Sequence, residues 1–345
     1  MTASTRTAAR RLTRRTWHLP HEPTGRMQRL LGPLYVTGTF WWRIVSLGAR
    51  WLPDIGVRAC AWTLAALSFV VARRVRRGVV QNLDVVLGPA GWREQQRRIW
   101  RTFHEFALCV FDRYTLFRDT SRLRVHFEGG DNWQAALDCG TGFLFITAHY
   151  GNMDVGPLMP GGLRRHMHVV REPSVDPRSQ RLIEKHYRQQ DGRGFSIHFT
   201  GDGAGLGTAM LFALRRGEVV AATCDQPREG QPYETADMFG RQTPMSPGLV
   251  ALARAAGVPM VPVFAMRLGR LRYRVIVREP VRVPRTEDRT GDVRRGLQAL
   301  ADQLEWAIRE SPHSWNCWWP RWSTLASAGR EEDPGRHEPS PSSRG

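Results

Sequence analysis

One stretch of the chain joins a buried-strand pattern to residue types that can move a proton. Residues 143–157 read FLFITAHYGNMDVGP, in which an apolar run ends at His149 and Asp154 stands five positions later. Near neutral pH a histidine can take the proton of a hydroxyl while that oxygen attacks a carbonyl carbon. A carboxylate on the other ring nitrogen fixes the tautomer and stabilises the imidazolium that forms. We therefore predict that His149 is a general base and that Asp154 orients it.

The turn after His149 is suited to this arrangement. Gly151 has no Cβ and permits a tight strand-to-helix turn that brings Asp154 back toward the histidine. The amino end of the next helix is suited to a phosphate or a developing oxyanion. No serine or cysteine follows closely enough to suggest an enzyme nucleophile, so direct transfer to a bound hydroxyl is the simpler chemistry. Taken alone the spacing is a weak signal, because a chain with 11 histidines can produce it by chance.

Three other patterns suggest different chemistry, and each has a structural alternative that we favour. Cys224 precedes Asp225 and is a candidate thioester-forming nucleophile, but a buried, inert thiol is favoured. His166 and His168 share one strand face, yet no clear third ligand follows them, so we predict no metal site. The glycine-rich TGDGAGLG segment lacks a complete dinucleotide fingerprint, and a flexible connection is favoured.

Short β-rich runs alternate with helical patterns from about residue 123 onward. This alternation predicts an α/β fold with a mixed, largely parallel central sheet covered by helices, preceded by an N-terminal helical region that associates with membranes. Ligands of such sheets bind beyond the carboxyl ends of the strands, which is where His149 is expected. The predicted strands are LRVHFEG, GFLFITAH, MHVVRE, FSIHFT, EVVAATCD, VPMVPVFAMR and LRYRVIVREP.

Composition divides the chain into four parts. The basic start lacks the apolar centre of a secretory signal, and the end is rich in Pro, Gly, Ser and charge. We predict a disordered basic arm, a helical membrane-interface region, an α/β catalytic domain and a disordered tail, at residues 1–28, 29–120, 121–323 and 324–345.

Two apolar stretches in the helical region fall short of a membrane span. Arg43 and Arg50 interrupt the first, and the second, ACAWTLAALSFVVA, has 14 residues where a span needs about 20. Their Trp, Phe and Arg content suits helices that lie in the membrane interface. Helices packed on the core are the alternative, and the first stretch could still be a poor anchor.

The charge balance is strongly basic, with 50 Lys and Arg against 32 Asp and Glu and a net charge of +18. Such a surface favours polyanions or an anionic membrane. The basic residues are spread rather than striped, and no nucleic-acid motif is found, so we expect no specific nucleic-acid partner. Five widely spaced cysteines without a CxxC pair argue against a disulfide framework and for a reducing compartment.

Six blocks of the sequence, in order, resemble one protein family. The block around His149 resembles the H-x4-D/E block of the glycerolipid acyltransferase superfamily, and more specifically that of the late (lauroyl/myristoyl-type) acyltransferases of lipid A biosynthesis. A chance match to one block is easy, but six in order indicate membership. The other blocks, within about residues 76–322, are RRVRRGVVQNL, REPSVDPRSQRLIEKHYRQQDG, EVVAATCDQPREG, MFGRQTPMSPGLVALARAAGVPMVPVFAMR and SPHSWNCWWPRW.

The sequence departs from the family pattern at two positions of the histidine block. Asp154 stands where the family usually has Glu, and Met153 stands where it usually has Trp. Aspartate occupies this position in the glycerolipid branch, so the pair with His149 is preserved, although the acceptor pocket can differ. The chain also lacks the family's usual clean N-terminal membrane helix.

The resemblance implies a membrane-associated O-acyltransferase at the cytoplasmic face of the cell membrane, peripheral or monotopic. It would move a fatty acyl group from acyl carrier protein or acyl-CoA to a hydroxyl of a glycolipid or phospholipid precursor, of lipid A or phosphatidylinositol mannoside type. No metal or redox cofactor is expected. The implied partners are the carrier protein or CoA thioester, anionic membrane lipids and the lipid acceptor.

The resemblance also implies roles for residues outside the histidine block. Arg171 and Arg188 would hold phosphate of the acceptor or of the donor's phosphopantetheine, because a guanidinium makes bidentate bonds. The alternative for both is surface charge. Asp225 and Gln226 would either position the acceptor or cap a loop. Gly240 and Arg241 would line the pocket.

Two other function classes remain open on the sequence alone. The same pair could activate water on an acyl ester or thioester, which would make the protein a hydrolase. Alternatively, the basic surface could belong to a non-catalytic protein that binds anionic lipid or nucleic acid.

Overall fold

The computed structural model describes most of the chain from residue 47 to residue 322. The predicted basic arm (1–28), the predicted tail (324–345), Arg188 and the centre of the glycine-rich segment lie outside the described residues. The described ranges are 47–48, 51–116, 119–158, 165–173, 180–181, 184, 194–200, 205–227 and 230–322.

Within residues 51–116, three helices precede the first strand, and their apolar faces meet in one cluster. They are α1 (Asp54–Val71), α2 (Arg73–Leu87) and α3 (Trp92–Leu116). The apolar residues of α3 recur at helical spacing, so one side is buried and the other is charged. Buried side chains from all three helices form the cluster, among them Val57, Ala61, Val79, Leu83, Ile99, Phe103 and Phe111.

Helix α1 buries one side and leaves the other open. Val57 and Ala61 are buried, whereas Ile55, Trp62 and Val70 are 78%, 57% and 67% exposed. The period of 3.6 residues places the three exposed side chains on one face. The helix is long and apolar enough to cross a membrane by length and composition, with a mean hydropathy of 1.5 and 17% of it buried. It reaches this length because it begins at Asp54, before the 14-residue stretch recognised in the sequence.

The centre of the molecule is a seven-stranded, largely parallel sheet, which confirms the predicted fold class. The strand order is β1-β9-β8-β2-β5-β3-β4, and the pair β8–β9 is antiparallel. The strands are β1 (Arg124–Glu128), β2 (Phe143–Thr147), β3 (Met167–Arg171), β4 (Phe195–Phe199), β5 (Val219–Thr223), β8 (Met260–Gly269) and β9 (Arg272–Val277).

Both faces of the sheet are buried, as a near-continuous apolar strand such as β2 requires. Phe143 and Phe145 point to one cluster, and Leu144 and Ile146 point to the other. Among the described residues, one helix and Leu116 at the end of α3 lie against the first cluster, and three further helices cover the second. In chain order these are α4 (Gly130–Asp138), α5 (Leu206–Arg215), α6 (Gly248–Ala256) and α7 (Arg289–Glu310).

A two-stranded hairpin, β6 (Glu234–Met238) with β7 (Arg241–Met245), lies apart from the main sheet and was not predicted. Its two-residue turn consists of Phe239 and Gly240, which both have positive φ angles of 53° and 67°. That conformation is typical of a type I′ turn. The sequence signal was weak because the hairpin strands are largely polar and β7 contains Pro244.

A buried carboxylate attaches the helical region to the sheet. Asp112 on α3 is fully buried and accepts hydrogen bonds from Arg267 Nε (2.9 Å), Arg270 Nη1 (2.7 Å) and the Tyr273 hydroxyl (2.8 Å). The Tyr273 hydroxyl in turn accepts from Asn152 Nδ2 at 3.3 Å. The loop after His149 is therefore linked to α3 through a polar network that excludes water.

We predict that Asp112→Ala lowers the free energy of unfolding by about 3–5 kcal/mol, because it leaves two arginines without their buried partner. Denaturant unfolding followed by tryptophan fluorescence measures this change. The control is Asp302→Ala, which removes an exposed carboxylate bonded to Gln298 and should cost at most about 0.5 kcal/mol. Equal small effects of the two substitutions would contradict the anchoring role of Asp112.

Candidate active site

The carboxyl ends of two neighbouring strands bring His149 and Asp225 together. Strands β2 and β5 are parallel, and Thr147 is paired with Thr223. The Cys224 N–H donates to the Thr147 carbonyl at 2.9 Å, which continues the register past the strand ends. His149 and Asp225 each lie two residues beyond the paired threonines, so they meet at one edge of the sheet.

Asp225 holds both the backbone and the imidazole of His149. One oxygen, Oδ1, accepts from the His149 backbone N–H at 3.0 Å and lies 2.9 Å from Nδ1. An ionised carboxylate accepts hydrogen bonds and donates none, so Nδ1 carries the proton and Nε2 is the basic nitrogen of the neutral ring. The Asp225 side chain is fully buried, whereas 34% of the His149 side chain is exposed. The imidazole is thus fixed from behind and open to a substrate.

The charges around the pair set its protonation. Burial lowers the pKa of His149. The charge and hydrogen bond of Asp225, with a contribution from Glu172, raise it by more than burial lowers it, so the net pKa lies above the ordinary 6.5. Burial raises the pKa of Asp225, but His149 and Arg321 lower it by more. The pKa of this carboxyl therefore lies below its ordinary value. The pair is arranged to accept a proton on the imidazole while Asp225 stays ionised.

The loop that carries His149 is fixed by the C-terminal segment. The Gly151 N–H donates to the Ser314 carbonyl and the Asn316 N–H donates to the His149 carbonyl, both at 2.7 Å. Gly151 has φ 55°, and a Cβ at this position would overlap the carbonyl oxygen of Ala265. Glycine is required here both for the left-handed turn and for the close approach to β8.

Asp154 has a different neighbour from the one that the sequence spacing suggested. It lies at the start of a 3₁₀ helix, Met153–Leu158, and its carboxylate forms an ion pair with Arg113 on α3. The positive charge of Arg113 also acts on His149 and lowers its pKa. The carboxylate against Nδ1 is that of Asp225, whereas Asp154 holds a cation near the same histidine.

The sequence profile of the bacterial lipid A biosynthesis acyltransferase family matches residues 25–324. The chain belongs to this family. It is therefore an acyltransferase of lipid metabolism, with an acyl donor and a lipid-type acceptor as substrates. Members of the family are typically membrane-associated. No curated protein sequence matches the chain.

The other predicted substrate-binding residues of this acyltransferase lie in different places. Arg171 is the last residue of β3, which neighbours β5, so it reaches the same sheet edge as Asp225. Gln226 follows Asp225, and its buried Nε2 has no hydrogen-bond partner among the described residues. Gly240 forms the β6–β7 turn and Arg241 is exposed beside it. Their roles toward substrate stay predictions.

The residues that suggested other chemistry have structural partners. Burial raises the pKa of the Cys224 thiol well above its usual range, so the thiolate that a nucleophile requires is disfavoured. His168 lies between His198 Nε2 and Glu218 Oε2, each at 2.9 Å. His166 contacts the Ser196 hydroxyl at 2.8 Å. These contacts occupy both ring nitrogens of His168 and Nε2 of His166.

Two sequence blocks of the acyltransferase meet behind the site. Asn82 on α2 donates to the carbonyls of Cys317 (3.1 Å) and Trp319 (2.8 Å). Gly78, one turn earlier, lies so close to Trp318 and Trp319 that a Cβ would overlap their backbone. The Asn-Leu block therefore holds the tryptophan-rich block against the loop of His149.

We predict that Asp225→Asn lowers kcat for acyl transfer by roughly 10²- to 10⁴-fold, because the amide no longer selects the correct tautomer or stabilises the imidazolium. Steady-state kinetics with the same donor and acceptor measure the effect. The matched variant is Asp154→Asn, for which we expect a smaller loss of kcat and a change in KM through the freed Arg113. A larger kcat loss in Asp154→Asn would assign the orienting role to Asp154, as the sequence spacing suggested.

Proposed function

We propose that this protein transfers a fatty acyl group from a thioester of acyl carrier protein or CoA to a hydroxyl of a glycolipid or phospholipid precursor. One observation carries the proposal: a partly exposed His149 whose Nδ1 is held by a buried carboxylate, which leaves Nε2 as the base. This is the arrangement needed to activate a hydroxyl next to a thioester carbonyl.

The reaction proceeds in two steps in this proposal. His149 Nε2 removes the hydroxyl proton as the acceptor oxygen attacks the thioester carbonyl, and Asp225 stabilises the imidazolium that results. The tetrahedral intermediate then collapses, the carbon–sulfur bond breaks, and the imidazolium returns the proton to the leaving thiolate. The ester, the free thiol and the neutral histidine balance the reaction. The acyl group is already activated as a thioester, so no cofactor is required.

Arginines at the site are suited to the negative charges of the substrates. Arg113 is held beside His149 by Asp154, with 26% of its side chain exposed. In this proposal it stabilises the oxyanion or binds an acceptor phosphate, and Asp154 positions it. Arg171 and Arg188 bind phosphate of the acceptor or of the phosphopantetheine, while Gln226, Gly240 and Arg241 line the acceptor pocket. A phosphorylated acceptor of lipid A or phosphatidylinositol mannoside type fits this chemistry.

The decisive test compares wild type with His149→Ala in detergent micelles. Labelled acyl-CoA or acyl carrier protein is the donor, and a panel of glycolipid and phospholipid acceptors is scored by mass spectrometry. We expect an acyl-lipid product that the variant loses by at least about 10³-fold, because proton transfer is removed from the step. His126→Ala, which alters an exposed histidine paired with Glu128, is the control and should retain full activity.

Each other result of that test has a defined meaning. Equal product from wild type and His149→Ala would refute the general-base role. Free fatty acid without acyl-lipid would assign the protein as a hydrolase. No turnover of any donor, with salt-sensitive binding to anionic lipid or nucleic acid, would support a non-catalytic binding protein.

We also propose that the open face of α1 lies in the anionic leaflet at the cytoplasmic side of the membrane. Ile55, Trp62 and Val70 present an apolar surface there, and Arg58 is exposed on the same helix. An apolar face with tryptophan and arginine is typical of an interfacial helix. The overall charge of +18 favours anionic lipid and an acidic carrier protein on the same side.

We predict that replacing Ile55 and Val70 by glutamine weakens binding to phosphatidylglycerol vesicles by about tenfold or more, since each buried aliphatic side chain contributes about 1.5–3 kcal/mol. Vesicle co-sedimentation measures the partition. The control is Phe212→Gln on α5, a side chain that is 52% exposed and should not change binding. Unchanged binding of the α1 variant would show that another surface meets the membrane.

A further inference from the structure

Arg321 is a buried arginine that has no carboxylate in direct contact among the described residues. Its side chain is fully buried, which is costly for a cation unless a negative charge compensates it. Nη2 donates to the Pro244 carbonyl at 2.6 Å. Nε and Nη1 are buried and have no hydrogen-bond partner among the described residues. A guanidinium stays protonated in proteins, so its charge must be balanced at a distance.

Asp225 is a buried anion whose charge acts on Arg321. The charges of Arg321 and Asp225 act on each other, and each residue is fully or almost fully buried. Oδ1 of Asp225 takes both hydrogen bonds from His149, whereas the buried Oδ2 accepts none from a described residue. The Cys224 and Cys317 thiols also lie within reach of this charge. Burial raises the pKa of Cys317 to about 12 and that of Cys224 higher, so both are neutral near pH 7.

The surroundings of Arg321 fix the guanidinium in place. Its backbone N–H donates to Asn82 Oδ1 at 2.8 Å, and the next residue, Trp322, donates from Nε1 to the Thr243 hydroxyl at 2.8 Å. Helix α2 and strand β7 therefore hold the chain on both sides of the side chain.

We propose that Arg321 is a positioning residue of the acyltransferase: its buried charge keeps Asp225 ionised, and Asp225 in turn holds His149 in the basic tautomer. This inference rests on the proposed function of His149 and explains why the tryptophan-rich end of the chain packs behind the site. Arg321 is fully buried, so it does not touch the reacting atoms.

The sign of the expected effect follows from the charges. A neutral side chain at position 321 removes a positive charge near the His149–Asp225 pair, and the protonated form of the pair becomes more favourable. The base is active when the imidazole is neutral, so activity is lost as the pH falls through the pKa of the pair. A neutral variant should move this acidic limb to higher pH by roughly one unit, the size of effect that a nearby charge produces.

The test compares Arg321→Gln with Arg321→Lys. Glutamine keeps an N–H donor for the Pro244 carbonyl and removes the charge, whereas lysine keeps the charge. We expect the acidic limb of kcat/KM to move upward in Arg321→Gln and to return toward wild type in Arg321→Lys. Arg254→Met, which breaks the ion pair with the buried Asp292, is the control for loss of a partly buried arginine and should leave the limb unchanged.

A second readout separates this inference from the proposed function. Histidine NMR of the full-length protein in micelles, assigned with His149→Ala, gives the titration of His149 without any substrate. An upward shift in Arg321→Gln supports the positioning role even if acyl transfer is absent. An unchanged titration and limb in folded Arg321→Gln, or equal shifts in the Lys and Gln variants, would overturn it. If Arg321→Gln does not fold, Arg321→Met takes its place. If neither neutral variant folds, a fully active Arg321→Lys in which His149 titrates as in wild type supports the role of the positive charge. A folded Arg321→Lys in which the titration of His149 is shifted refutes that role.

Discussion

The active-site geometry depends on one buried carboxylate, Asp225. It is placed by the parallel pairing of β2 with β5, and its Oδ1 fixes both the backbone and the imidazole of His149. A buried anion is unfavourable unless hydrogen bonds and a compensating charge surround it. The packing behind the site supplies both, through His149 in front and the buried Arg321 behind.

This requirement gives a physical reason for the way distant segments converge. Residues 314–316 bond to the loop of His149, and Arg321 follows a few residues later on the same segment. Asn82 and Gly78 on α2 hold that segment from the other side. The helical region and the segment that ends at Trp322 thus both help to hold the loop of His149.

The sequence predicts the sheet and the position of His149 well because both follow from local patterns. An apolar run such as residues 143–147 can be satisfied only as a strand buried on both faces, and the residues after it fall at the ligand-binding edge. Helix bounds were less predictable. Helix α1 takes in the polar start at Asp54, which hydropathy counting leaves out, and the polar β6–β7 hairpin gave little signal.

The partner of His149 was beyond the sequence for a different reason. Asp154 is near in sequence, but the left-handed Gly151 and the 3₁₀ helix after it bring the Asp154 carboxylate to Arg113. The contact with Asp225 joins residues 76 positions apart and depends on strand order, which no local pattern encodes. Arg113 and Arg321 carried no distinguishing signal either, since arginine is abundant throughout this chain.

Asp225 and Arg113 have opposite electrostatic effects on His149, and their balance sets the pKa of this imidazole in a strongly basic protein. Asp225 raises the pKa of His149 and Arg113 lowers it, while Arg321 lowers the pKa of Asp225. In an environment with a net charge of +18, an unshielded imidazole would lose basicity to its cationic neighbours. The buried, directly bonded Asp225 acts at 2.9 Å and in low dielectric, so it outweighs the more distant positive charges. The burial of this carboxylate therefore lets one directly bonded anion raise the pKa of His149 in a strongly basic chain.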